Sequence, residues 1–217
     1  MYEFTAAQKI YLRIKYTADF FIGLLGLMIT SPLLAVIALL IRAEDHGPVL
    51  FRQKRVGLHG RVFNIYKFRT MCVGAEKMGS GVYSGAGDQR VTRIGRFLRA
   101  SSLDELPQFL NLIRGECSCI GPRAPLTYHP WPWKEYTGEQ RQMFLVRPGI
   151  TGWAQVNGRK GVEWNHRIEL NVWYVKHISF LLDLKIAWMT VFKVFSNADN
   201  VNIEPTVVKK SSEFTKK

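Results

Sequence analysis

The chain has 217 residues, with 30 Lys and Arg against 17 Asp and Glu, a formal net charge of +13. That length suits one domain, or one domain with an appendage, and is enough to bury a substantial core. The charge implies an anionic partner, whether nucleic acid, phosphorylated metabolite or acidic lipid surface, and composition does not choose among them. The three cysteines exclude a zinc knuckle, because Cys117 and Cys119 are separated by one residue and Cys72 has no second pair to join. They read as reduced, packed side chains.

The first element is apolar. Residues 20–41 form 22 consecutive positions without a formal charge, enough for a helix of about 33 Å, the thickness of a bilayer's hydrocarbon core. No secretory cleavage site follows, so the segment is expected to persist. Ser31-Pro32 lies at its midpoint. Proline removes a backbone hydrogen bond there, and the serine hydroxyl can satisfy the carbonyl that is freed. Both flanks are basic, with Lys9, Arg13 and Lys15 before the segment and Arg42 after it. The positive-inside rule therefore favours the cytoplasmic side for each end. A helix that enters, bends and returns satisfies both conditions; a kinked spanning helix remains the alternative.

Residues 49–56 and 62–69 alternate well enough for a β-hairpin turning at Gly57-Leu58-His59-Gly60, with one cationic side. Residues 74–88 are rich in Gly and Ser and read as a loop, with no phosphate-loop signature. Arg90, Arg93, Arg96 and Arg99 follow at three-residue spacing, which suits one side of a helix. Then comes Ser101-Ser102-Leu103-Asp104-Glu105-Leu106-Pro107-Gln108. Adjacent carboxylates among cations can act as nucleophile, general base or metal ligand. The same residues also read as a capping box, with Ser102 as N-cap and Glu105 reaching back to it. Pro107 would then loosen the first turn.

Gly121-Pro122-Arg123 and Arg147-Pro148-Gly149-Ile150-Thr151-Gly152-Trp153-Ala154-Gln155-Val156-Asn157-Gly158-Arg159 read as rigid turns that each deliver an arginine suited to phosphate. Residues 181–195 fit an amphipathic helix at a membrane surface or in the core. The last twenty or so residues read as a loose tail. The expected division is 1–44 as the membrane-associated re-entrant helix, 45–195 as the catalytic body and 196–217 as the tail.

Taken in order, the Ser31-Pro32 segment, Phe51-Arg52-Gln53-Lys54-Arg55-Val56-Gly57, Tyr66-Lys67-Phe68-Arg69-Thr70-Met71, residues 99–108, Gly121-Pro122-Arg123 and residues 147–159 resemble the bacterial sugar transferase family, the monotopic polyprenyl-phosphate phosphoglycosyl transferases. The resemblance implies a helix-rich α+β membrane enzyme with a re-entrant N-terminal helix broken at Ser31 and Pro32, a small β-hairpin and amphipathic interfacial helices. It implies catalysis at the cytoplasmic face of the bacterial inner membrane. A phospho-sugar would pass from a UDP-sugar to undecaprenyl phosphate with release of UMP, magnesium would be required, and an aspartyl phospho-sugar intermediate would form. By the same resemblance Asp104 is nucleophile and magnesium ligand, and Glu105 supports the metal or assists the lipid phosphate. Arg99 and Arg123 contact phosphate. Lys67, Arg69, Arg147, Gln155, Asn157 and Arg159 line the nucleotide or lipid head group. Membrane lipid and later glycosyltransferases of the same pathway are the further partners implied, and nucleic acid is not.

The chain departs from the family pattern in three places. Ala124 follows Gly-Pro-Arg, Asn171 stands where an aspartate is usual, and Cys117 and Cys119 replace apolar residues. A membrane-anchored basic binding module without catalysis is the competing reading; it explains the charge but gives the dyad no task.

Overall fold

A computed structural model describes residues 2–78, 87–157 and 164–196. Helix α1 (Ala6–Asp45) is followed by strands β1 (Leu50–Val56) and β2 (Val62–Phe68), helix α2 (Arg93–Ala100), a 3-10 segment (Leu103–Gln108) and helix α3 (Phe109–Ile113). Strand β3 (Ser118–Ile120), strand β4 (Gly149–Thr151) and helices α4 (Trp153–Asn157), α5 (Trp164–Lys176) and α6 (Phe180–Ser196) complete it. The described residues are helix-rich with two small sheets, and one helix among them is long and apolar enough to cross a membrane.

That helix begins at a capping box, with Thr5 accepting from the Gln8 backbone and Gln8 returning the bond. It runs through Pro32 without interruption of its helical assignment. Pro32 cannot donate to the Met28 carbonyl, and Ser31 Oγ fills the gap by donating to Met28 O at 2.9 Å. The Ser-Pro pair thus removes one backbone bond and replaces it, rather than ending the helix. Leu12, Lys15, Asp19, Gly23, Ile37 and Ile41 form its buried stripe. Much of the rest is exposed and apolar, Ile29 at 69% and Leu39 at 70%. An apolar surface of that extent marks a membrane or partner contact.

The predicted hairpin forms. β1 pairs antiparallel with β2 in the register Phe51↔Lys67, Gln53↔Ile65 and Arg55↔Phe63, so these side chains share one face. Arg52 lies opposite Tyr66 and stacks over its ring on the other face.

The two glycine-rich arginine turns, each read from the sequence as a rigid turn, lie against each other. They meet as β3 and β4, a parallel pair in which Ser118 faces Gly149 and Ile120 faces Thr151. Gly121 N donates to Thr151 O and Gly149 N to Pro122 O, both at 2.9 Å. The glycines are required by this approach: a Cβ on Gly152 would sit 1.9 Å from the Gly121 carbonyl oxygen.

Helix α6 packs inward through Ile186 and leaves Phe180, Leu181, Leu184, Trp188 and Phe192 exposed. Its lysines point the other way. Lys185 lies over the Trp153 ring and Lys193 donates to Gln155 O. A buried polar knot joins α1 to this end of the body, with Lys15, Tyr11 and Tyr174 all donating to Asp183.

Candidate active site

The capping box at Ser102 does not form. Ser102 takes a left-handed conformation with φ 57° directly after the Ser101 C-cap of α2, and its side chain makes no cap bond. It closes the preceding helix instead of opening the next. The chain then winds as a 3-10 segment that contains Pro107, and α-helix resumes only at Phe109. Freed from capping, Glu105 reaches the hairpin at Lys67.

Glu105 is the paired one. Lys67 Nζ donates to Glu105 Oε1 at 2.5 Å, with the two side chains 24% and 34% exposed. Burial pushes the Glu105 carboxyl upward, but Lys67, Arg123 and a hydrogen bond with Gln108 outweigh it and hold the group below its usual range. Among the described residues Asp104 makes no ion pair and no hydrogen bond with another side chain, and its carboxylate accepts from its own backbone N–H. Burial, reinforced by the negative charge of Glu105, raises its pKa to about 6 against the pull of Lys67 and Arg99. The two adjacent carboxylates thus differ in state: one is tied to a cation, the other is desolvated and free to engage a ligand.

Arg99, at the last turn of α2, donates from Nε to Thr70 Oγ1 at 2.8 Å. Burial lowers its pKa, while Asp104 opposes the shift. Arg123 approaches from the Gly-Pro-Arg turn, and its backbone N–H donates to Asn171 Oδ1 at 3.2 Å. Asn171 is buried and supplies the acceptor that this turn needs, so an amide performs the bond without a charge. Ala124 packs with Phe63, Leu112 and Cys117, which puts Cys117 in the core as expected.

The other predicted residues go elsewhere. Arg69 forms a bidentate pair with Asp45 and also donates to Pro48 O and Met71 O, which ties the end of α1 to the hairpin. Arg147 stacks over the Tyr16 ring at 4.1 Å, whereas the cations that bear on the dyad are Lys67, Arg99, Arg123 and Arg55. Gln155 keeps both side-chain amide atoms buried, with no hydrogen-bond partner among the described residues. Asn157 donates to Trp153 O at 3.0 Å. Arg159 lies outside the described residues.

Sequence reasoning missed Arg55, Thr70 and Gln108. For Arg55 a signal existed, since the hairpin alternation places it on the same face as Lys67. Thr70 and Gln108 lie within the Tyr66 to Met71 and 99–108 motifs, but nothing in a local pattern marks them as partners of Arg99 and Glu105.

Fold and site define a class: a small α+β body carried on one long apolar helix, with an acidic dyad set among lysine and arginine. The chain belongs to the bacterial sugar transferase family, whose profile matches residues 10–197. It is 42% identical over 181 residues to the uncharacterized sugar transferase EpsL of Bacillus subtilis, an alignment covering 83% of this chain and 87% of that one. It is 39% identical over 189 residues to the UDP-glucose:undecaprenyl-phosphate glucose-1-phosphate transferase of Escherichia coli, covering 85% of this chain but 40% of the relative. A Caulobacter vibrioides protein of the same name is 45% identical over 166 residues, covering 74% and 62%. The chain thus matches nearly all of the first relative and only part of the other two.

Proposed function

We propose that this protein is a polyprenyl-phosphate phosphoglycosyl transferase that moves a phospho-sugar from a UDP-sugar to undecaprenyl phosphate, releases UMP, and so begins assembly of a bacterial glycan. The observation that carries the reading is the asymmetry of the dyad. Asp104 has no ion pair and is mostly carboxylate at neutral pH, and its neighbour Glu105 is paired with Lys67.

In this scheme an Asp104 oxygen attacks the phosphorus that bears the sugar. A bond forms between that oxygen and phosphorus as the bond to the UMP oxygen breaks. An oxygen of the lipid phosphate then attacks the same phosphorus, and Asp104 leaves as carboxylate. A pKa of about 6 leaves most of Asp104 ionised at pH 7. Arg99, Arg123 and Lys67 offset charge on the transferring phosphoryl group, and Glu105 keeps the Lys67 ammonium in place. The side-chain oxygens of Asp104 and Glu105 suit magnesium, which takes one or two carboxylates together with substrate phosphates rather than an all-protein cage. No cluster of three His, Cys, Asp or Glu occurs among the described residues. When bound, magnesium would neutralise diphosphate charge that otherwise repels Asp104.

Membrane placement follows the same logic. Helices α1 and α6 both carry exposed apolar residues, and they touch where the half-buried Tyr11 meets Phe180 edge-on at 6.5 Å. We assign both to lipid, with α1 re-entrant and the dyad at the cytoplasmic face of the inner membrane. A water-soluble nucleotide and a long prenyl phosphate then meet in one plane.

The test is turnover by detergent-solubilised protein with magnesium, undecaprenyl phosphate and a panel of UDP-sugars. UMP release that needs the lipid phosphate for continued turnover is expected. Salt-dependent binding of generic polyanions with no UMP released from any sugar nucleotide would instead favour the binding module.

A further inference from the structure

The cations around the dyad fall into two groups. Arg99 bears on Asp104, and its helix packs against α1, with Leu98 in one cluster with Ile37 and Ile41. Arg123 bears on Glu105, and beyond it lies Arg55. Arg55 is unusual. Its Nη1 donates to Ala124 O at 2.9 Å and its Nη2 to Gln53 Oε1 at 2.6 Å, while Nε is buried without a partner. Among the described residues it has no carboxylate within ion-pair distance. Burial and the like charge of Arg123 lower its pKa to about 10, so it stays cationic at neutral pH.

Holding a desolvated guanidinium beside a second guanidinium is costly unless a ligand supplies negative charge. The nearby Glu105 carboxylate is already bonded to Lys67. The surroundings suggest which anion. Arg55 bridges to Leu126, and the chain continues from there to Tyr128 and His129, both of which interact electrostatically with Arg55. The Tyr128 ring is 59% exposed, and His129 sits edge-on to Trp164 at 5.0 Å. An aromatic ring offered beside a pair of guanidinium forks suits a nucleoside phosphate, with the base on the ring and phosphate on the arginines.

We propose that Arg55, together with Arg123, binds the nucleotide-side phosphate of the donor, that Tyr128 covers its base, and that the lipid phosphate enters from the Arg99 side. The inference rests on the phosphoglycosyl transferase reading and assigns its two substrates to separate ends of the dyad. It gives the half-buried Arg55, which has no ion pair among the described residues, a task that the register of the hairpin permits, because Arg55 and Lys67 share the face turned to Glu105.

The test uses the full chain in detergent with magnesium. UMP and ribose 5-phosphate binding are measured by calorimetry, and KM is measured for each substrate, in wild type, Arg55→Lys, Arg55→Gln and Tyr128→Ala. Losing a charge-assisted bond to phosphate weakens binding about tenfold. The expected result is a rise of about that size in UMP Kd and donor KM for both Arg55 variants, with lipid KM unchanged. Tyr128→Ala should weaken UMP but leave ribose 5-phosphate as in wild type. Unchanged UMP affinity in Arg55→Lys, or a rise in lipid KM alone, overturns the phosphate assignment. Unchanged UMP affinity in Tyr128→Ala overturns the base assignment, and that exposed variant stays informative if the Arg55 variants fail to fold. Wild-type protein that neither binds UMP nor turns over any UDP-sugar would overturn the parent reading instead.

Discussion

Asp104→Asn should make the protein more stable while abolishing turnover. The carboxyl has a folded pKa of about 6 against an ordinary value of 3.8, so between those values the folded state binds more protons than the unfolded chain. Stability therefore falls as pH rises through that window. A shift of about two units corresponds to about 3 kcal/mol at full strength, and solvent screening reduces this to about 1–3 kcal/mol. Asparagine keeps the shape and removes the charge. In a protein of this size each kcal/mol moves Tm by about 2–4 °C. Thermal unfolding in detergent should show Asp104→Asn melting about 3–10 °C above wild type at pH 8 and level with it at pH 4. A difference that does not change with pH, or a variant less stable at pH 8, would refute the assignment of a desolvated, unpaired Asp104.

Glu105→Gln should behave in the opposite sense. Its carboxyl is held below the usual range by Lys67, so the pair stabilises at neutral pH and the benefit disappears as pH falls through the folded pKa. A loss of about 1 kcal/mol at pH 7 that vanishes in acid is expected in the same unfolding assay. Asn171→Leu removes the acceptor for the Arg123 N–H and should cost about 1–3 kcal/mol in thermal stability and raise donor KM, whereas Asn171→Asp keeps an acceptor and should retain most activity. Pro32→Ala restores the donor to the Met28 carbonyl and straightens the case for a spanning helix. Cysteine labelling in intact cells should find both termini on one side in wild type and a fraction on opposite sides in the variant.

What was legible in the sequence was local. Residues 49–69 announced a hairpin because side-chain alternation and a glycine turn lie within one short stretch. Ser31-Pro32 announced a lost hydrogen bond because the serine that repairs it is adjacent. The second sheet was hidden, since Gly121 and Gly149 lie against each other across 27 intervening positions, and neither turn alone reveals that the other lies against its backbone. Arg69 looked available for phosphate because its partner Asp45 is 24 residues away. The capping box failed on conformation: Ser102 is in the left-handed region, which the pattern Ser-x-x-Glu does not reveal. Arg55 was visible as a charge and missed as a site residue, because only the register that sets it on the same face as Lys67, with the fold that half-buries it, distinguishes it from the exposed Arg52.

The central claim is that Asp104 itself becomes covalently attached to the phospho-sugar. Intact-protein mass spectrometry after incubation with magnesium and a UDP-sugar, without acceptor lipid, tests it directly. The account predicts one added phospho-sugar per chain, mapped to Asp104, with a matching release of UMP, and loss of the adduct when undecaprenyl phosphate is added. UMP release and product formation in Asp104→Asn at the wild-type rate would contradict it.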